Sequence, residues 1–167
     1  MSIPVPQELH PTLRELNLKI RNLDQWRITG QPPYWYGQMI TSLMIAAGNE
    51  EIEFVTYVER GDSRILLCFT DSMLLRTTIQ ALVPDNSREL TIECTPRWRL
   101  EELSMSAAES AYNPDSFAPW PGALTYELRY VGESESMNFP PHPPTNESER
   151  EALATLLPSL SRDLLAH

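Results

Sequence analysis

A chain of 167 residues with 41% hydrophobic and 22% charged residues has the composition of one globular domain that buries its own core. Its net charge of −10 argues against a nucleic-acid partner, which selects a basic footprint, and against anionic lipid held by charge. Cys68 and Cys94 are the two cysteines. Both lie in apolar, strand-like contexts and are expected to be buried thiols.

The start, "MSIPVPQELHP", has neither a basic n-region nor an apolar h-region, and no stretch approaches the roughly 18 apolar residues of a membrane span. The expected location is the cytoplasm. Leu13, Leu16, Ile20 and Leu23 then recur at helical spacing and draw a narrow apolar stripe. In "ITGQPPYWYG", Gly30, Pro32, Pro33 and Gly37 predict an irregular, aromatic-rich loop. A short helix is expected over Met39, Ile40, Leu43, Met44 and Ala47, closed by Gly48-Asn49.

Strands follow. "EIEFVTYVER" alternates and is rich in β-branched and aromatic residues, Gly61-Asp62 marks a turn, and "SRILLCF" has two apolar faces. In "SRILLCFTDSMLLRTTI" the polar Thr70, Asp71 and Ser72 interrupt the most apolar run of the chain. Asp and Ser hydrogen-bond nearby backbone, so a hairpin turn is expected there. One continuous helix is disfavoured by Ile65, Thr70, Thr77, Thr78 and Ile79.

"ALVPDNSRE" reads as a loop and "LTIECT" as a strand, whereas "PRWRLEELSMSAA" fits either a strand or a short helix. After the proline-rich "AYNPDSFAPWPGA", "LTYELRYVG" alternates clearly, Gly132-Glu133-Ser134 turns it, and "ESMNF" is expected to pair back. The tail carries Asn146 as an N-cap and Glu147, Glu149 and Glu151 in or near the first turn. Leu153, Leu157, Leu160 and Leu164 form the apolar stripe of a final helix, with Pro158 expected to kink it.

Three stretches resemble the bacterial pleckstrin-homology-like families: "GNEEIEFVTYV" after a helix, "GDSRILLCFTDSMLLRTT", and "GALTYELRYVGESESMNF" followed by a helix. The resemblance runs from about Gln38 to Leu165. It implies an α+β, mainly antiparallel fold: a partly open barrel of about seven strands capped by the C-terminal amphipathic helix. Residues 1–37 form an N-terminal helix and aromatic loop outside that pattern, and 38–167 form the pleckstrin-homology-like domain. The loop Asn113 to Gly122 is also longer than the pattern.

Residues with chemistry are sparse. His10, His142, His167, Cys68 and Cys94 lack metal-ligand spacing, so no metal is expected. There is no Gly-x-Ser-x-Gly elbow, and six glycines form no phosphate-binding loop, so no catalytic residue and no cofactor is expected. The carboxylate pairs Glu50-Glu51, Glu101-Glu102 and Glu133 with Glu135 read as a solvated acidic surface rather than acid–base pairs.

Three groups stand as candidate contact residues. Arg60 and Arg64 flank the first hairpin turn, where phosphoinositide-binding relatives in the family carry basic clusters; here Glu59 and Asp62 sit beside them. Arg97, Trp98 and Arg99 combine residue types enriched in interface hot spots. Strand alternation through them buries Trp98 and exposes both arginines. Tyr34, Trp35 and Tyr36 cannot all face one core, and they serve either packing of the N-terminal segment or contact with another chain.

These features favour a non-enzymatic interaction module that binds a protein or a second copy of itself. The alternatives are a small-ligand binder or enzyme with a carboxylate and aromatic cavity, and a lipid-headgroup binder.

Overall fold

The computed structural model describes residues 10–21, 23, 33–61, 63–80, 90–107, 124–144 and 146–165. Asp62, His167 and the stretches 81–89 and 113–122, read as loops from the sequence, lie outside them. The chain divides into two compact units, Met1–Pro96 and Arg97–His167.

In the first unit, α1 spans His10–Arg21 and α2 spans Tyr34–Ala47. Four strands, β1 (Phe54–Arg60), β2 (Ser63–Phe69), β3 (Met73–Gln80) and β4 (Ile92–Pro96), form one antiparallel sheet in sequence order. The period-two alternation of side chains sets its faces. Val55, Tyr57, Leu66, Cys68, Leu75 and Ile79 form one core with Leu16 and Ile20 of α1 and Met39, Ile40 and Leu43 of α2. The opposite face of the sheet also carries buried residues, namely Phe54, Leu67, Phe69 and Leu74. That explains why Ile65–Phe69 of β2 reads as an unbroken apolar run.

The turn between β2 and β3 is the expected one. The Thr70 N–H donates to the Met73 carbonyl at 2.9 Å, and the Met73 N–H donates to Thr70 Oγ1 at 3.0 Å. Glu50 locks it from outside. Its carboxylate accepts from Thr70 Oγ1 at 2.5 Å, from the Ser72 N–H at 3.0 Å and from Ser72 Oγ at 2.5 Å. A charged acceptor strengthens each bond.

Two expectations in this unit are corrected. The Tyr34–Tyr36 stretch is not a loop but the first turn of α2, which begins directly after Pro33. Gly37 costs the helix about 1 kcal/mol, but Tyr36, Met39, Ile40 and Leu43 fall on one buried face, and their burial outweighs it. Cys94 is exposed while Cys68 is buried, and both are free thiols. Leu75 pairs with Cys68 on one side and Cys94 on the other. Two strand spacings therefore separate the cysteines, about 10 Å, beyond disulfide reach. Cys94 lies on β4, the last strand in the order of this sheet among the described residues.

In the second unit a 3₁₀ turn at Arg97–Arg99 leads into β5 (Leu100–Ala107), which pairs with β6 (Leu124–Tyr130) and then β7 (Met137–Phe139) in a three-stranded antiparallel sheet. Leu100, Tyr126, Leu128, Tyr130 and Phe139 are its buried residues. α3 (Glu147–Leu165) packs against β5 and the 3₁₀ turn. Asn146 caps it as expected, its Oδ1 accepting from the Glu149 N–H at 2.9 Å. Leu153, Leu157 and Leu160 of the stripe are buried, joined by Leu156, while Leu164 is half-buried. Four buried leucines stabilise the unit by about 6–12 kcal/mol before chain entropy is subtracted. The helix runs on through Pro158.

The fold is thus α+β with antiparallel strands, as expected, seven of them among the described residues. They are divided between sheets of four and three strands.

Candidate functional site

The candidate site is the corner of the second unit where the Arg97–Arg99 turn meets the end of β6. Strand alternation predicts a buried Trp98 between two exposed arginines, and the structure inverts this. Arg97 is 1% exposed, Trp98 is 57% exposed, and Arg99 is exposed. The reason is local: the three residues form a 3₁₀ turn, whose period is three rather than two. A register shift between Leu100 and Glu102 then resets the alternation.

Arg97 is fastened to α3. Its Nε donates to Asp163 Oδ2 at 2.8 Å, and its Nη2 donates to Ser159 Oγ at 2.5 Å. Ser159 gives its own proton to the Leu156 carbonyl at 2.7 Å, which leaves its oxygen as acceptor for the guanidinium. Asp163 and Ser159 are one helical turn apart and so meet one partner from one face. The charge is buried but paired, the condition for keeping an arginine inside a protein.

The outward part of the corner is Trp98, Arg99 and Val131. The Val131 N–H donates to the Arg99 carbonyl at 2.9 Å, which ties the two turns together. Val131 is 47% exposed, because it lies at the apex of the turn closed by the Glu133 N–H and the Tyr130 carbonyl at 3.0 Å. Gly132 takes the positive φ of 91° that this turn needs. Sequence reasoning missed Val131, although a branched aliphatic beside a turn glycine is its signal. It also missed Asp163 and Ser159, which show only as polar residues off the leucine stripe.

The other candidates are scattered. Arg60 is exposed at the end of β1, and Arg64 Nε pairs with Glu59 Oε1 at 3.2 Å across the hairpin. Tyr34 is 68% exposed, Trp35 is half-buried, and Tyr36 is buried with its hydroxyl donating to Asn17 Oδ1 at 2.8 Å. The structure therefore gathers Arg97, Trp98 and Arg99 into one corner of the second unit, whereas Arg60, Arg64 and Tyr34–Tyr36 belong to the first.

Of the acidic and nucleophilic candidates, one carboxylate pair is held by an arginine and one thiol is buried. Glu101 and Glu102 both reach Arg129, at 2.5 Å and 2.9 Å. Hydrogen bonding to Glu102 foremost, then the nearby carboxylate charges, hold the Arg129 guanidinium above its usual range. Burial pushes the Cys68 thiol far up, against a smaller opposing pull from Lys19, so it is a poor nucleophile. Among the described residues, no group of three His, Cys, Asp or Glu side chains is placed to hold a metal ion. No helix among them is long and apolar enough to cross a membrane.

No family model matches the sequence, and no curated protein matches it. The structure is similar to the crystal structure of a pleckstrin homology domain from Shewanella amazonensis SB2B, with a TM-score of 0.42 and 16% identity over 78% of this chain and 98% of that one.

Proposed function

We propose that this chain works as an interaction module, engaging a protein partner through Trp98 and Arg99 rather than catalysing a reaction. The observation that carries the reading is a tryptophan 57% exposed on a turn whose preceding residue is clamped by a buried ion pair. An exposed indole offers a large, rigid apolar area with one N–H donor for a partner to bury. Tryptophan and arginine dominate binding hot spots. A turn anchored at Arg97 and again at Val131 loses little further freedom on binding, which preserves affinity. Arg99 adds a planar donor for a carboxylate or a backbone carbonyl on the partner.

The test is capture by the immobilised chain, with the Trp98→Ala and Arg99→Ala variants as controls, followed by calorimetry with each captured protein after purification. A partner that binds the native chain directly and loses tenfold or more in affinity with Trp98→Ala, about 1.4 kcal/mol, supports the reading. Partners held equally by native chain and both variants would overturn it.

A further inference from the structure

Residues 97–167 hold eleven carboxylate side chains against five arginines. With acid in such excess, an arginine of this unit readily finds a carboxylate. Arg97 holds Asp163 at 2.8 Å, Arg129 holds Glu102 at 2.9 Å and Arg150 holds Glu147 at 3.1 Å. Arg162 lies in the last turn of α3, where the unpaired carbonyls of the helix favour a cation. Arg99 has neither arrangement. It is exposed, and no carboxylate among the described residues pairs with it.

The surroundings of Arg99 are apolar. Trp98 and Val131 are both exposed, and the Val131 N–H bonded to the Arg99 carbonyl keeps the two turns side by side. Asp163 is taken by Arg97. Glu133, past the turn glycine, is half-buried and already engaged. The corner therefore presents one guanidinium next to an apolar patch, on a backbone held at two points.

We propose that this corner takes a protein segment presenting a single carboxylate beside an apolar side chain. The inference rests on the reading that Trp98 and Arg99 contact protein, and it names what they select. The planar guanidinium receives a carboxylate through two parallel N–H donors. The partner's apolar side chain lies on the indole and on Val131. The water it displaces lowers the local dielectric, so the ion pair is stronger than one in open solvent. Charge sets the limit at one. A phosphorylated segment or a phosphoinositide headgroup brings several negative charges and calls for several cations, whereas the corner offers one, in a unit where acid is in excess. Each further negative charge on the partner meets repulsion. A basic segment would set like charge against Arg99.

Peptide selection on the full chain tests this. The probes are pools of short peptides with a fixed central Leu-Glu, Leu-Gln, Leu-Lys or Leu-phosphoserine and neutral residues randomised around it. Retention on the immobilised chain is read by mass spectrometry. The native chain retains the Leu-Glu pool about threefold or more over the Leu-Gln pool, the scale of one partly exposed ion pair, and also over the phosphoserine pool. Arg99→Ala erases that preference. Arg99→Glu, with an unchanged circular dichroism spectrum, turns it towards Leu-Lys, and Arg99→Ala carries the test if the charge-reversed variant fails to fold. Trp98→Ala lowers retention of every pool. Leu-Glu and Leu-Gln held equally by the native chain, phosphoserine held more tightly than Leu-Glu, or a preference that survives Arg99→Ala each overturns the carboxylate assignment and leaves the corner as a contact surface. Pools held equally by the native chain and by Trp98→Ala overturn the corner itself.

Discussion

Arg97 and Asp163, 66 positions apart in the chain, form a 2.8 Å ion pair that holds the 3₁₀ turn to the last helix. Arg97 is almost wholly buried and Asp163 is 21% exposed, so the cost of breaking the pair falls mainly on the arginine. Arg97→Ala leaves Asp163 and Ser159 without their donor, and Asp163→Ala leaves a buried cation. Each variant is expected to lose about 3 kcal/mol, at the lower end for a buried pair because Asp163 is partly wet. The double variant Arg97→Met/Asp163→Leu is expected to recover most of that loss, since no charge is then stranded. Urea denaturation of the native chain, Arg97→Met, Asp163→Leu and the double variant closes a cycle, and additive losses would show that the two residues do not act as a pair.

Trp98 and Arg99 are the contrast. Both point outward, so Trp98→Ala and Arg99→Ala are expected to change unfolding free energy by no more than about 0.5 kcal/mol. Destabilisation by Trp98→Ala as large as that by Arg97→Ala would make the indole part of the core instead of a contact surface.

Glu50 supplies both oxygens to the β2–β3 turn. Glu50→Ala removes the acceptor for the Thr70 and Ser72 hydroxyls and is expected to cost about 1–3 kcal/mol, because the Thr70 hydroxyl is then buried with one partner fewer. Glu51→Ala, one residue on and exposed, is the control and should cost little. Thermal melts of the two variants check this, and equal midpoints would dismiss the clamp.

Alkaline pH should loosen the first unit through Cys68. Burial holds its folded-state thiol above the usual range, whereas the unfolded thiol ionises near about 8.5. Between those values the folded chain keeps a proton that the unfolded chain has released, so the unfolding free energy falls as pH rises. The stability is intact below about pH 8.5 and is lost above it at up to about 1.4 kcal/mol per pH unit for this group. Tyr36, raised by burial against an opposing pull from Arg21, and Tyr126, raised by burial, act in the same sense once phenols begin to ionise near about pH 10. Urea midpoints at several pH values check the slope. Cys68→Ala should flatten it between about pH 8.5 and 10, and an unchanged slope would place its origin elsewhere.

Much of the fold was legible because its signals are local. The alternation in "LTYELRYVG" belongs to β6, the polar break at Thr70–Ser72 is a turn, and Asn146 caps α3. Each depends on contacts within a few residues, which the chain states directly. The start of α2 was less legible. Gly37 and two prolines argue locally for a loop, and only the burial of Tyr36 beside Met39 and Ile40 tips the balance towards helix.

The candidate corner was legible as a set of residue types but not as an arrangement. Arg-Trp-Arg is conspicuous, yet which member turns inward depends on Asp163 and Ser159. By itself the sequence determined the antiparallel strands, the capped final helix, the acidic balance and the apolar stripe of α1, because backbone propensity and side-chain period act over one or two turns. Tertiary structure alone decided that Arg97 is buried while Trp98 is exposed, that Cys94 is exposed while Cys68 is buried, and that the seven strands among the described residues divide as four and three. A buried charge is stable only where its partner arrives, and strand pairing depends on which distant segments meet. Neither is encoded within reach of a single helical turn.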